Sequence, residues 1–244
     1  MCIRDRIYHE YDDLDFISEA HHGDMNGDGI DDFILSSVNS DKIWVGINNN
    51  LQQPDFIEIS AGIEGRFIAI HDFDQDGDND IIGSAVFQDE SYVWKNDGAG
   101  TYTPELLSIP DYSAIHFADM NGDNTDEMIL AIGGELNIYS IMGGNLNLMT
   151  NVTDEEPLAI DAVDFNNDGM MDLAVAFGFE GVIVFQQGAG MVFSEIEITP
   201  SSFNNNRIVV SDINNDMIPD FLLHNQFSTP VSYTHLTLPT TPYV

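Results

Sequence analysis

The chain has 244 residues, 43% of them apolar, and its 42 acidic against 6 basic residues leave a formal charge of −36. That apolar share supports a packed core and excludes a disordered acidic tail. The negative field excludes nucleic acid and anionic lipid surfaces as partners, and no apolar run of about 18 residues is present to insert into a membrane.

The chain ends read as foreign. Residues 1–6 (MCIRDR) and 231–241 (VSYTHLTLPTT) back-translate to the two orientations of a transposon end used in sequencing libraries. Residues 1–6 and 231–244 are therefore set aside as adapter-like artefacts. Cys2, the single cysteine, goes with them, so neither a disulfide framework nor a thiolate site is expected. Residues 7–16 read as the end of a preceding repeat, and the chain is expected to continue on both sides.

The first full repeat spans residues 17–65 and carries the loop DMNGDGIDD from Asp24. Asp24, Asn26 and Asp28 occupy positions 1, 3 and 5, where alternating oxygen-bearing side chains converge on one point. Gly29 at position 6 lets the backbone reverse. The carbonyl of Ile30 at position 7 turns inward and Asp32 at position 9 closes the cage. All donors are hard oxygens, a set that favours Ca²⁺ over Zn²⁺ or copper, and over the stricter geometry of Mg²⁺.

The same nine-residue pattern returns in each later repeat. Residues 66–112 hold Asp72, Asp74, Asp76, Asp78 and Asp80, the most charged copy and the expected tightest site. Residues 113–157 hold Asp119, Asn121, Asp123, Thr125 and Glu127, with Asn124 at position 6. Residues 158–205 hold Asp164, Asn166, Asp168, Met170 and Asp172, with Gly169 at position 6. A partial repeat, residues 206–230, holds Asp212, Asn214, Asp216, Ile218 and Asp220. Its Met217 and Pro219 replace the turn-permissive residues, so this copy is expected to be weakest. The starts lie 48, 47, 45 and 48 residues apart, and the loops contain 19 of the 42 acids. Roughly a tenth of one match is expected by chance, so five mark a device and about four to five Ca²⁺ ions.

A helix-loop-helix calcium site needs Glu at position 12, where this chain has Leu35, Gly83, Leu130, Val175 and Leu223. Short β-prone segments follow each loop instead, such as DFILSSV and EMILAI, and alternating apolar residues precede it. Four short strands per period of about 47 residues predict an all-β fold, a β-propeller fragment of four-stranded blades. The metal loop joins the first and second strands of each.

The loops, their spacing and the segment YVWKNDGAGTY (residues 92–102) resemble the FG-GAP/VCBS repeat family of integrin-α-like propellers, in its bacterial VCBS-like branch. The resemblance covers nearly all of residues 7–230. It implies calcium ligation by Asp24, Asn26, Asp28, Asp32 and the Ile30 carbonyl, with the other loops following by position. It also implies closure with seven blades.

His21, His116 and Asp161 each fall three residues before a loop's first Asp. They read as hydrogen-bonded fillers of an inner strand, with a second ligand site as the alternative. Trp44 and Trp94 read as inter-blade core, with sugar stacking as the alternative. Glu155, Glu156, Asp12 and Asp13 read as solvated turn charges. No G-x-S-x-G or H-E-x-x-H pattern is present, and the loop carboxylates are committed to metal. The expected function is a secreted or cell-surface module that binds a protein or polysaccharide. A propeller segment of a secreted carbohydrate-active enzyme is the alternative, with catalysis outside this stretch.

Overall fold

The computed structural model describes residues 17–37, 42–48, 54–60, 65–85, 90–110, 112–155, 157–177, 181–199, 205–213, 219–225 and 232–234. Among them every regular element is a β-strand and every strand pair is antiparallel. The chain divides into two compact units, residues 1–111 and 112–244.

The first unit contains two four-stranded sheets. One runs β1 (Ile17–Gly23), β2 (Asp32–Ser37), β3 (Lys42–Ile47) and β4 (Asp55–Ser60). The other runs β5 (Gly65–His71), β6 (Asp80–Ala85), β7 (Glu90–Asn96) and β8 (Tyr102–Leu107). Strands are paired in sequence order, so each sheet is a meander whose second strand is central. β5 packs beside β1 and β2. Met25, Ile34, Ile43, Val45, Ile68, Ile81 and Trp94 form the core of this unit, buried together.

The second unit repeats the plan. β9 (Ala114–Ala118), β10 (Glu127–Ile132), β11 (Glu135–Met142) and β12 (Asn145–Thr153) form one sheet. β13 (Ala159–Val163), β14 (Asp172–Ala176), β15 (Val182–Gly188) and β16 (Val192–Thr199) form the next. β13 lies beside both β9 and β17 (Asn205–Ser211), the first strand of a third sheet. First strands thus neighbour first strands, which is how propeller blades fan out from an axis. Because this blade is covered on both faces, β14 after its first residue, Asp172, is apolar without alternation, and all five of its residues are buried. Phe165 and Phe221 stack across the last interface with ring centroids 5.1 Å apart.

The third sheet holds β17, β18 (Asp220–Asn225) and β19 (Ser232–Thr234). β19 falls inside the 231–244 stretch that sequence alone sets aside. Backbone pairing tolerates almost any sequence, and Ser-Tyr-Thr suffices to satisfy the free edge of β18. Residues 1–6, 7–16 and the remainder of 231–244 lie outside the described residues.

Candidate metal loops

Each acidic loop joins the first and second strands of its sheet, as the sequence predicts, and its position-9 acid is the first residue of the second strand. Two left-handed residues shape the turn. Position 6 is left-handed at Gly29, Gly77, Asn124 and Gly169, with φ of 81°, 103°, 67° and 85°. Position 4 is left-handed too, at Gly27, Gln75, Gly122 and Asn167. This alternation turns successive N–H groups inward around the position-1 carboxylate. Asp24 accepts from Gly27, Asp28 and Gly29 at 2.8, 3.2 and 2.8 Å. Asp72, Asp119 and Asp164 are held in the same way by their own loops. The Gly29 N–H, with its neighbours, keeps Asp24 below the ordinary carboxylate range. At position 5, Asp28, Asp76, Asp123 and Asp168 each accept from the position-7 N–H. The Thr125 hydroxyl also donates to Asp123 and lowers its pKa.

The position-9 acids do something the sequence does not announce. Asp32, Asp80, Glu127, Asp172 and Asp220 are all buried. One oxygen accepts the position-2 N–H of the loop: Met25, Phe73, Met120, Phe165 or Ile213, at 2.9 to 3.1 Å. In three blades the other oxygen accepts the N–H just beyond or at the end of the third strand, from Asn48, Asn96 or Gln187, at 2.7 to 2.8 Å. One carboxylate therefore ties three parts of a blade together. Glu127 departs: its second oxygen accepts the Asn121 side-chain amide at 2.6 Å.

The second loop brings its acids closest. Carboxylate oxygens of Asp72, Asp74 and Asp80 lie within 4.8 Å of one another. Oδ1 of Asp74 is buried without a hydrogen-bond partner, while Oδ2 lies 3.6 Å from Lys95 Nζ. An orphaned carboxylate oxygen among two further carboxylates is a donor set suited to a hard divalent cation. Asp76 and Asp78 are not in that cluster; the Asp78 carboxylate lies against Gly98, where a Cβ would meet it at 2.5 Å. In the first, third and fourth loops position 3 is Asn26, Asn121 or Asn166, which lowers the central charge. Asn26 accepts from Asp28, whereas the amides of Asn121 and Asn166 donate to Glu127 and Asp168. Asn214, Asp216, Met217 and Ile218 of the fifth loop lie outside the described residues.

Sequence reasoning missed the amides that join neighbouring loops. Asn96 Nδ2 donates to the Met25 carbonyl at 2.8 Å, and Asn79 Nδ2 donates to the Asp24 carbonyl at 2.8 Å. In the second unit Gln187 Nε2 reaches the Met120 carbonyl at 2.9 Å. The available signal was an Asn or Gln 15 or 16 residues after the position-9 acid, at 96 and 187; Asn48, at the same offset, donates instead to the Asp31 carbonyl of its own loop. Replacing Asn96 by alanine leaves the buried Met25 carbonyl unpaired and is expected to cost about 1–3 kcal/mol, read as a lower urea midpoint at unchanged slope.

Burial pushes Asp80 up from 3.8 to about 6 and also raises Glu127 and Asp172. A raised carboxyl favours folding below its unfolded value, and that contribution is lost as pH rises through the folded value. Without divalent cation, thermal stability is therefore expected to increase when pH is lowered from 7 to about 4.5. Below about 3.8 the depressed groups Asp24, Asp97 and Asp123 reverse the trend. A pH series of melting curves in chelator checks both slopes.

Of the remaining singled-out residues, Glu156 lies outside the described residues. Trp44 and Trp94 are 3% and 0% exposed, in the core. His21 lies 3.4 Å from Glu19. His116 lies 3.7 Å from Asp161, whose carboxylate accepts the Val210 and Ala162 N–H groups.

Solved structures of similar fold include a lectin of Agrocybe aegerita that recognises non-reducing terminal N-acetylglucosamine. It shares 17% identity at a TM-score of 0.60, with 88% of this chain and 65% of the lectin covered. BBS1N in its complex with ARL6DN shares 12% identity at a TM-score of 0.57, covering 89% of this chain and 68% of that one. Rhamnogalacturonan lyase YesW shares 12% at a TM-score of 0.53, covering 90% of this chain and 49% of the lyase. These likenesses establish the propeller fold. No curated protein sequence matches the chain. The FG-GAP-like repeat profile matches residues 24–83, 72–130 and 164–223, each match running from one acidic loop through the next. These matches cover more than half of the sequence, and the chain belongs to the FG-GAP-like repeat family.

Proposed function

We propose that this chain is a calcium-stabilised propeller module, secreted or held at a cell surface, that presents its blades to a protein or glycan partner. The observation that carries the metal reading is the convergence of Asp72, Asp74 and Asp80 around a buried, unpartnered oxygen. Asp24, Asp119 and Asp164 with their loops would hold further ions of the same kind. A bound cation would supply charge neutralisation where the acids crowd, coupling folding to metal. Such short open loops suit extracellular millimolar calcium. Similar structures that recognise a sugar terminus or form a protein complex support the binding role.

We assign the chain itself no catalysis, because the position-9 carboxylates of Asp80 and Asp172 are buried with both oxygens taken by backbone N–H groups, out of hydrogen-bond reach of a substrate. The likeness to a rhamnogalacturonan lyase favours a second reading, in which this is the propeller part of a carbohydrate-active enzyme. Equilibrium dialysis tests the metal reading: about four to five calcium ions per chain are expected, with magnesium a poor competitor. Asp74→Ser should remove one of them. Binding of fewer than one ion, or equal retention of magnesium, would refute it.

A further inference from the structure

The second loop differs from the others at one ligand position. Position 3 is Asn26, Asn121, Asn166 or Asn214 elsewhere but Asp74 here. Four carboxylates therefore stand at positions 1, 3, 5 and 9 of this loop, against three in every other. Beside the extra acid lies a base. Lys95 Nζ is 3.6 Å from Asp74 Oδ2 and 2.7 Å from a Glu105 oxygen. The strand pairing fixes its place. The residue after the cross-strand partner of position 10 is Ile47, Lys95, Ser140 or Gln186 in the four four-stranded sheets, and only Lys95 is charged. Lys95 pairs with Thr103 on β8, two residues before Glu105, so the two side chains share one face. Buried Trp94 and Asn96 on either side hold this stretch of β7 in place.

We propose, on the calcium reading of the loops, that Lys95 is a tethered counterion of the second loop. It holds Asp74 while no ion is bound and lowers the affinity of this loop for calcium. The two oxygens of Asp74 stand in different surroundings: Oδ2 faces the ammonium, and Oδ1 is buried without a partner. An ion taken up by Asp74 together with Asp72 and Asp80 shares that carboxylate with the ammonium. Two cations on one carboxylate repel, and at a partly exposed site the repulsion weakens binding by about three- to ten-fold. Without calcium the sign reverses, because the ammonium relieves the repulsion of Asp74 by Asp72 and Asp80. One lysine thus offsets the fourth carboxylate and returns the loop to the net charge of the others. The Glu105 carboxylate, and after it Asp74, keep the ammonium above the ordinary lysine range, so it stays charged near neutral pH.

Amide NMR of the full chain during a calcium titration tests this loop by loop. The position-6 N–H groups of Gly29, Gly77 and Gly169 each donate to the position-1 carboxylate of their own loop, so each reports its own ion. Lys95→Met is expected to lower the dissociation constant read at Gly77 by about three- to ten-fold, with Gly29 and Gly169 unchanged. Lys42→Met removes the same charge at the far end of β3, from an exposed pair with Glu58, and should change none of the three. In excess chelator the melting midpoint of Lys95→Met should fall, whereas a purely packing role for Lys95 would not tighten calcium. Lys95→Gln replaces Lys95→Met if that variant does not fold. A Gly77 constant unchanged or raised, equal tightening at all three glycines, an equal effect of Lys42→Met, or a chelator midpoint that does not fall would overturn the proposal while calcium binding stands. No calcium response at any of the three glycines would overturn the calcium reading itself, and this role of Lys95 with it.

Discussion

Asp80→Ala is expected to lower the stability of the calcium-free protein by about 3 kcal/mol, a fall of about 6–12 °C in melting temperature. Two buried N–H groups, of Phe73 and Asn96, lose their acceptor at once. Each orphaned donor costs about 1–3 kcal/mol, while removal of a desolvated carboxylate next to Asp74 offsets part of the sum. Asp80→Asn keeps one acceptor oxygen and should retain about half of the loss. The measurement is urea unfolding in excess chelator, which isolates the tether from any ion. If Asp80→Ala proved neutral in chelator and harmful only with calcium, the carboxylate would act through metal alone and the tether would be wrong.

The contrast between position 9 and the other loop positions shows what a sequence reveals here. Positions 1, 5 and 6 act within nine residues, so Asp24, Asp28 and Gly29 declare their turn by local spacing, and the left-handed φ at position 6 follows. The strands were legible for the same reason, since period-2 apolar runs and a repeat of about 47 residues are one-dimensional signals. Asp80 looks like one more ligand on that axis. Its second role appears only when β6 and β7 pair, which brings the Asn96 N–H to its oxygen across 16 residues. The Asn96 amide is less legible still, because its acceptor, the Met25 carbonyl, is 71 residues away in the neighbouring blade. Position 4 gives no consistent signal, because Gln75 carries no hint of its positive φ.

Calcium should raise the melting temperature by more than any single substitution lowers it. A ligand at about 100 times its dissociation constant stabilises by about 2.7 kcal/mol per site. Four sites would then supply about 10 kcal/mol, or roughly 20 °C or more in a chain of this size. The gain should narrow as pH falls toward 5, because protons compete with the ion at Asp80, whose carboxyl titrates near 6. The direct test is calorimetric unfolding of the chain at pH 7, in a few millimolar Ca²⁺ and again in excess chelator. A midpoint higher by roughly 20 °C with calcium, and little gain from magnesium, is the expected result. An unchanged midpoint would mean that the loops are acidic turns held by their own backbone hydrogen bonds, and the calcium reading would be wrong.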